Sequence, residues 1–201
     1  MDAKLSLGIV ATIVNLAGFY PYIRDMFRGT TKPHIFTWLV WALIGGIGFF
    51  AQYAGGAGAG AWTTLAGAVA CLFVALLTLH RGDLKIGILD WWCFSGALFG
   101  LVLWILTKDA LLAVIFVTLS DALGLVPTFR KSYARPFEET PLIYASAFVA
   151  FGFGIMALQT YSLTTLIYPV YIALSGGTLY TLLLVRRWQL RRAGALPISV
   201  R

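Results

Sequence analysis

The sequence predicts an all-α integral membrane protein in which seven transmembrane helices form two parallel three-helix repeats joined by a linker helix (3+1+3). Three observations predict it: a composition too apolar for a soluble domain, seven apolar stretches of membrane-crossing length, and an internal repeat. The 201-residue chain is 60% hydrophobic and 11% charged, with a mean hydropathy of +0.85. Soluble domains carry about 25% charged residues, so this chain lacks the polar surface to stay in water. Its 21 glycines suit transmembrane helices, where glycine is commoner than in soluble ones. A soluble enzyme, a disordered tail and a disulfide scaffold are excluded. Cys71 and Cys93 both stand in apolar stretches and read as buried, inert thiols.

A helix needs about 20 mostly apolar residues to cross the hydrocarbon core. Spans are expected at 5–23, 34–53, 61–80, 91–107, 110–129, 140–158 and 163–185. The first has no basic segment before it and no small-residue cleavage site after it, so it is expected to be a span and not a cleaved leader. Lys108-Asp109 alone separates the fourth and fifth, which requires a tight turn. Trp62, Trp91, Trp92 and Trp188 fall near span ends and read as headgroup anchors. The expected organisation is a first bundle at 1–81, a linker helix at 82–109, a second bundle at 110–187 and a basic tail at 188–201.

The net charge of +7 is distributed by topology. With seven spans, Arg24, Arg28, Lys32, Arg81, Lys85, Arg130, Lys131, Arg135, Arg186, Arg187, Arg191, Arg192 and Arg201 fall on one side, and only Lys4 and Lys108 on the other. Cytoplasmic loops carry the excess of Lys and Arg, so the N-terminus is expected outside and the C-terminus in the cytoplasm. The basic excess is therefore a topology signal and not a nucleic-acid footprint. The run Arg186–Arg192 is expected to lie against anionic headgroups.

Shifting the chain by 106 residues brings Thr12, Asn15, Gly18, Pro21 and Arg24 onto Thr118, Asp121, Gly124, Pro127 and Arg130. Four of these five pairs are identical, and Asn/Asp is near-isosteric. With two more residues in the second loop, Pro33-His-Ile-Phe36 falls on Pro141-Leu-Ile-Tyr144. The first three spans thus match the last three, with the fourth as a spacer. Four spans per repeat step is an even number, so the repeats run parallel.

This 3+1+3 pattern resembles the PQ-loop/SWEET-like transporter superfamily, and the chain looks like a bacterial member in the inner membrane. A proline lies near the cytoplasmic end of the first helix of each repeat, and a second proline opens the next helix. The resemblance covers nearly the whole chain. Where the family has Pro-Gln, this sequence has Pro21-Tyr22 and Pro127-Thr128, and neither 61–80 nor 163–185 holds the asparagine of the sugar carriers. The resemblance implies transport of a small solute by alternating access, with Pro21, Pro33, Pro127 and Pro141 as a hinge tetrad. Cystinosin-like members use intramembrane acids for proton coupling, a role the resemblance permits for Asp121.

Asp121 is the only acid inside a span, near the bilayer middle. A carboxylate there is costly, so it should face a bundle interior or watery cavity and serve function. Asn15 falls at the same depth. The two can share a hydrogen bond, grip a substrate together, or form a packing contact alone. Thr12 and Thr118, one turn outward, are substrate-binding candidates; the competing reading has each bond its own i−4 carbonyl. Pro21 and Pro127 each remove a backbone hydrogen bond and, with Gly18 and Gly124, form a weak point repeated in both halves, either a hinge or an ordinary kink. Pro33 and Pro141 also read as first-turn prolines. Trp38 and Trp41 on the second span and Tyr168 and Tyr171 on the seventh can wall a pocket or simply pack.

No metal site, cofactor or enzyme signature is expected: His34 and His80 stand at span ends, and no phosphate loop or nucleophile elbow appears. Glu138-Glu139 beside Arg135 reads as a cytoplasmic charge cluster. The partners expected are a small-molecule substrate and the bilayer, and no nucleic acid; seven helices close a cavity without a second copy, although an oligomer is compatible with them. The alternative is a non-transporting receptor or lipid-handling protein on the same fold.

Overall fold

The computed structural model describes residues 2–31, 33, 35–79 and 87–193. Lys32, His34, His80, Arg81, Lys85 and Arg201, expected at span ends, in loops and in the tail, lie outside the described residues, as does 194–201 of the tail. The described residues hold no strand. Seven helices follow in order: α1 (Ala3–Phe27), α2 (Ile35–Ala54), α3 (Trp62–Thr78), α4 (Ile88–Thr107), α5 (Ala110–Ala134), α6 (Pro141–Met156) and α7 (Leu163–Arg192). Short 3-10 helices at Gly58–Ala61 and Pro136–Glu138 lead into α3 and α6.

Six of these elements are long and apolar enough to cross a membrane, counting Gly58–Thr78 as one. The exception, α6, is apolar but has 16 residues. At 1.5 Å per residue it reaches about 24 Å, short of a ~30 Å hydrocarbon core. Large apolar side chains point outward along the helices, with Leu106 74% and Leu174 63% exposed. Such a surface is consistent with lipid and not with water.

The sequence sets the helix ends. Asp2 accepts from the Lys4 amide at 3.2 Å, Asp109 from the Leu111 amide at 2.9 Å and Ser162 from the Thr165 amide at 3.3 Å, capping α1, α5 and α7. Lys108 adopts the left-handed conformation, φ 59°, which reverses the chain in the two-residue turn between α4 and α5. Three helices outrun their apolar stretches. α1 and α5 continue past Pro21 and Pro127 to residues 27 and 134, and α7 runs to Arg192. Residues 188–192, expected in a separate tail, are its last turn.

Helix α1 packs on α3 and α6, α2 on α3 and α5, α5 on α4 and α7, and α6 on α7. Small residues allow the close crossings. A Cβ on Gly45 would stand 2.9 Å from that of Ala68, between α2 and α3. One on Gly176 would stand 2.9 Å from the Tyr144 carbonyl, between α7 and α6. At the end where α1 begins, Ala57, Ala61 and Leu158 are fully buried, and the Gln159 amide donates to the Ala57 carbonyl at 3.1 Å. Of the basic residues described, Lys4 and Lys108 lie at that end; Arg24, Arg28, Arg130, Lys131, Arg135, Arg186, Arg187, Arg191 and Arg192 lie at the other.

Candidate functional site

Midway along the bundle is a cavity of about 140 Å³. Asn15 from α1 and Asp121 from α5, each near the middle of its helix and each 4% exposed, line it together. Trp38 and Trp41 from α2 and Tyr168 from α7 complete the part of the wall that the sequence singled out. The i, i+3 spacing of the tryptophans puts both on the inner face of α2. Their rings meet edge to face, centroids 5.2 Å apart at 88°, and Tyr22 at 4.9 Å holds Trp38 from behind.

Asn15 and Asp121 do not bond to each other. The Asn15 amide donates to the Thr63 carbonyl of α3 at 2.9 Å. The Tyr171 hydroxyl and the Trp41 indole N–H are the polar groups facing the Asp121 carboxyl. That hydroxyl is buried and turned toward the Asp121 carboxyl, just outside strict hydrogen-bond geometry. Tyr171 packs between α7 and α5 beside Asp121 and is not among the residues lining the cavity.

Thr12 and Thr118 are not brought to the cavity. Their hydroxyls donate to their own i−4 carbonyls, Gly8 at 2.8 Å and Val114 at 2.6 Å. A helical threonine satisfies its hydroxyl locally when nothing nearer competes.

A wider cavity of about 380 Å³ adjoins the first toward the basic end and shares Trp38, Trp41, Ile143 and Tyr144 with it. Lys131, Glu139 and Asp90 line this vestibule. Glu139 is 8% exposed; it pairs with Lys131 at 2.8 Å and accepts from the Tyr144 hydroxyl at 2.9 Å. Arg187 donates to its carbonyl at 2.6 Å. The sequence grouped Glu138 and Glu139 with Arg135, but the two acids separate. Exposed Glu138 stands 3.7 Å from Arg135, while Glu139 turns inward to α5. Spacing along the chain does not foretell this, because Lys131 and Tyr144 reach Glu139 from two different helices.

The proline and glycine positions divide. Pro127 and Gly124 line the vestibule, whereas Pro21 and Gly18 do not. Gly18 faces α6 so closely that a Cβ there would overlap the Ser146 side chain. Pro141 is the first residue of α6, and buried Pro33 precedes Ile35, where α2 begins. Pro169, inside α7 next to Tyr168, was not singled out by the repeat because α3 has no proline to match it. Gln52, hydrogen-bonded at 3.2 Å to the lining residue Thr64, also escaped notice, since it looked like an isolated polar residue in an apolar span.

The chain matches no family model, no curated protein and no solved structure. The geometry of the site therefore carries the functional reading.

Proposed function

We propose that the protein is a PQ-loop/SWEET-like transporter that moves a small solute through the midplane cavity by alternating access. One observation carries the reading: a buried cavity holding Asn15 and Asp121 shares its inner wall with a vestibule at the basic end, while the opposite end is packed shut. This arrangement supports a carrier whose site is reached from one side.

Helix packing supports the 3+1+3 arrangement. Adding four to each helix number turns the pair α1–α3 into α5–α7 and α2–α3 into α6–α7. The crossed pair α1–α6 has its mate in α2–α5. Pseudo-two-fold related bundles give such a pattern. The bundles rock about Pro21 and Pro127, and Asp121 carries a coupling proton. The distribution of Lys and Arg supports an N-terminus outside and a C-terminus in the cytoplasm of a bacterial inner membrane, so the vestibule faces the cytoplasm.

Proteoliposome uptake tests the proposal. Purified protein is reconstituted with and without a pH gradient, and candidate solutes are chosen by thermal stabilisation. A ligand at about a hundred times its dissociation constant stabilises by about 2.7 kcal/mol. Saturable uptake should respond to the gradient in the wild type and lose that response in Asp121→Asn. Uptake by Asp121→Asn with the wild-type pH dependence removes the proton-coupling role. Solute binding with no uptake removes transport and leaves a receptor.

A further inference from the structure

Taking the midplane cavity as the solute site, as proposed above, we infer that it selects a small monovalent organic cation, an amine or quaternary ammonium without a carboxylate. Charge is the first reason. Among the described residues lining the cavity, Asp121 is the one carboxyl group, and no Lys, Arg or His joins it. A carboxylate at that depth needs a counter-charge to remain ionised without heavy cost. The basic side chain lining the adjoining vestibule is Lys131, already paired with Glu139 at 2.8 Å. A cationic solute supplies the missing charge.

The aromatic wall is the second reason. Trp38, Trp41 and Tyr168 stand on the same cavity as the carboxyl. Aromatic faces attract ammonium groups, tryptophan most strongly, and the attraction grows when water is excluded.

Engaged polar groups disfavour the main competitors. The Asn15 amide is bonded to the Thr63 carbonyl, Thr64 to Gln52, and the Ser175 hydroxyl to the Ile172 carbonyl at 3.2 Å. A sugar would bring several hydroxyls to a wall that offers chiefly the Asn15 carbonyl oxygen, the Tyr168 hydroxyl and Asp121, each unmet bond costing about 1–3 kcal/mol. A zwitterionic amino acid would bring a second carboxylate that no cationic lining residue meets. The cavity volume, about 140 Å³, is close to the ~150 Å³ of a cavity that takes a benzene-sized guest, which suits a small amine.

Three probes of similar size test the inference with the purified full chain in detergent: choline, its neutral isostere 3,3-dimethylbutan-1-ol, and glycine betaine. Radiolabelled choline binding is measured directly, and the other two as competitors. Choline should bind on the order of tenfold or more tighter than the neutral isostere, and betaine should be no better than the neutral probe. Asp121→Asn should erase the advantage of the cation, Asp121→Glu should keep part of it, and Trp41→Leu should weaken choline more than Trp41→Phe. Monodispersity and melting temperature of each variant report folding separately. Equal affinity for choline and its isostere, preference for betaine, an advantage unchanged in Asp121→Asn, or no saturable binding of choline would each overturn the inference. Asp121-dependent uptake of a neutral solute would refute the cation and leave transport standing. Choline binding without uptake would do the reverse.

Discussion

The matched glycines Gly18 and Gly124 should respond in opposite ways to alanine, and the difference separates tight packing from hinge flexibility. At Gly18 an added Cβ would fall on the Ser146 side chain of α6, reaching as far as its Cβ. That atom is fixed to the α6 backbone, so α1 and α6 have to move apart. Overpacking of this kind costs about 1–3 kcal/mol. Alanine regains about 1 kcal/mol of helix propensity over glycine. With a collision near the upper end of the range, Gly18→Ala should be destabilised by about 1–2 kcal/mol. At Gly124 the added Cβ would lie 3.4 Å from the Cys93 sulfur and 4.0 Å from the Trp41 indole nitrogen, ordinary contact distances. Gly124→Ala should therefore be neutral or more stable by up to about 1 kcal/mol. The assay is equilibrium unfolding in mixed micelles followed by far-UV circular dichroism, with Ser146→Gly added alone and in the Gly18→Ala background. Ser146→Gly should recover most of the loss, a coupling of about 1 kcal/mol or more between two residues in contact. If flexibility were the role of both glycines, both alanine variants would lose transport without loss of stability. Gly18→Ala as stable as the wild type, or a deficit that Ser146→Gly leaves untouched, refutes the packing argument.

Other outcomes follow from the same geometry. Glu139→Gln strands the Lys131 ammonium; because Lys131 is one-third exposed, the cost should be about 1–3 kcal/mol in melting experiments, and Lys131→Met in that background should recover part of it. An unchanged melting temperature would show that the pair is not buried. Thr12→Val and Thr118→Val should shift stability by no more than about 0.5 kcal/mol and leave solute binding within twofold, since each hydroxyl serves its own helix. A tenfold loss of binding in either would put a threonine on the solute. In a cysteine-free background, an impermeant maleimide should label Lys108→Cys on intact cells and not Arg130→Cys; the reverse result overturns the orientation.

Much of the helix order was legible because apolar runs are long-range averages that single residues do not disturb. The ends were less legible. The expected spans ended at 23 and 129, two residues past Pro21 and Pro127, but a proline costs one hydrogen bond where its neighbours can keep the helix going, and α1 and α5 run on to residues 27 and 134. The depth of Asp121 and Asn15 was readable from spacing along the helix, since rise per residue is fixed. What each side chain meets was not. Thr63, which holds Asn15, and Tyr171, which faces Asp121, come from helices whose rotation about their own axes depends on packing across the whole bundle. The same holds for Glu139, whose partners lie eight residues before it and five after, on opposite sides of a loop.

That loss of information at the level of rotation bears on how the two halves are used. The stretches around Asn15 and Asp121 agree in sequence at four of five spaced positions, yet their surroundings differ at the three central ones. Asn15 is tied to a backbone carbonyl, Gly18 is pressed against Ser146, and Pro21 lies off both cavities. Asp121 faces the Tyr171 hydroxyl, Gly124 has room beside Trp41, and Pro127 opens on the vestibule. On the proposed function, the first stretch holds its position and the second meets the solute. An exchange that puts aspartate at 15 and asparagine at 121 preserves the pair of residue types but moves the charge to an amide site already committed to Thr63. Function should follow the charge at 121, not the pair, and the exchanged protein should behave as Asp121→Asn does.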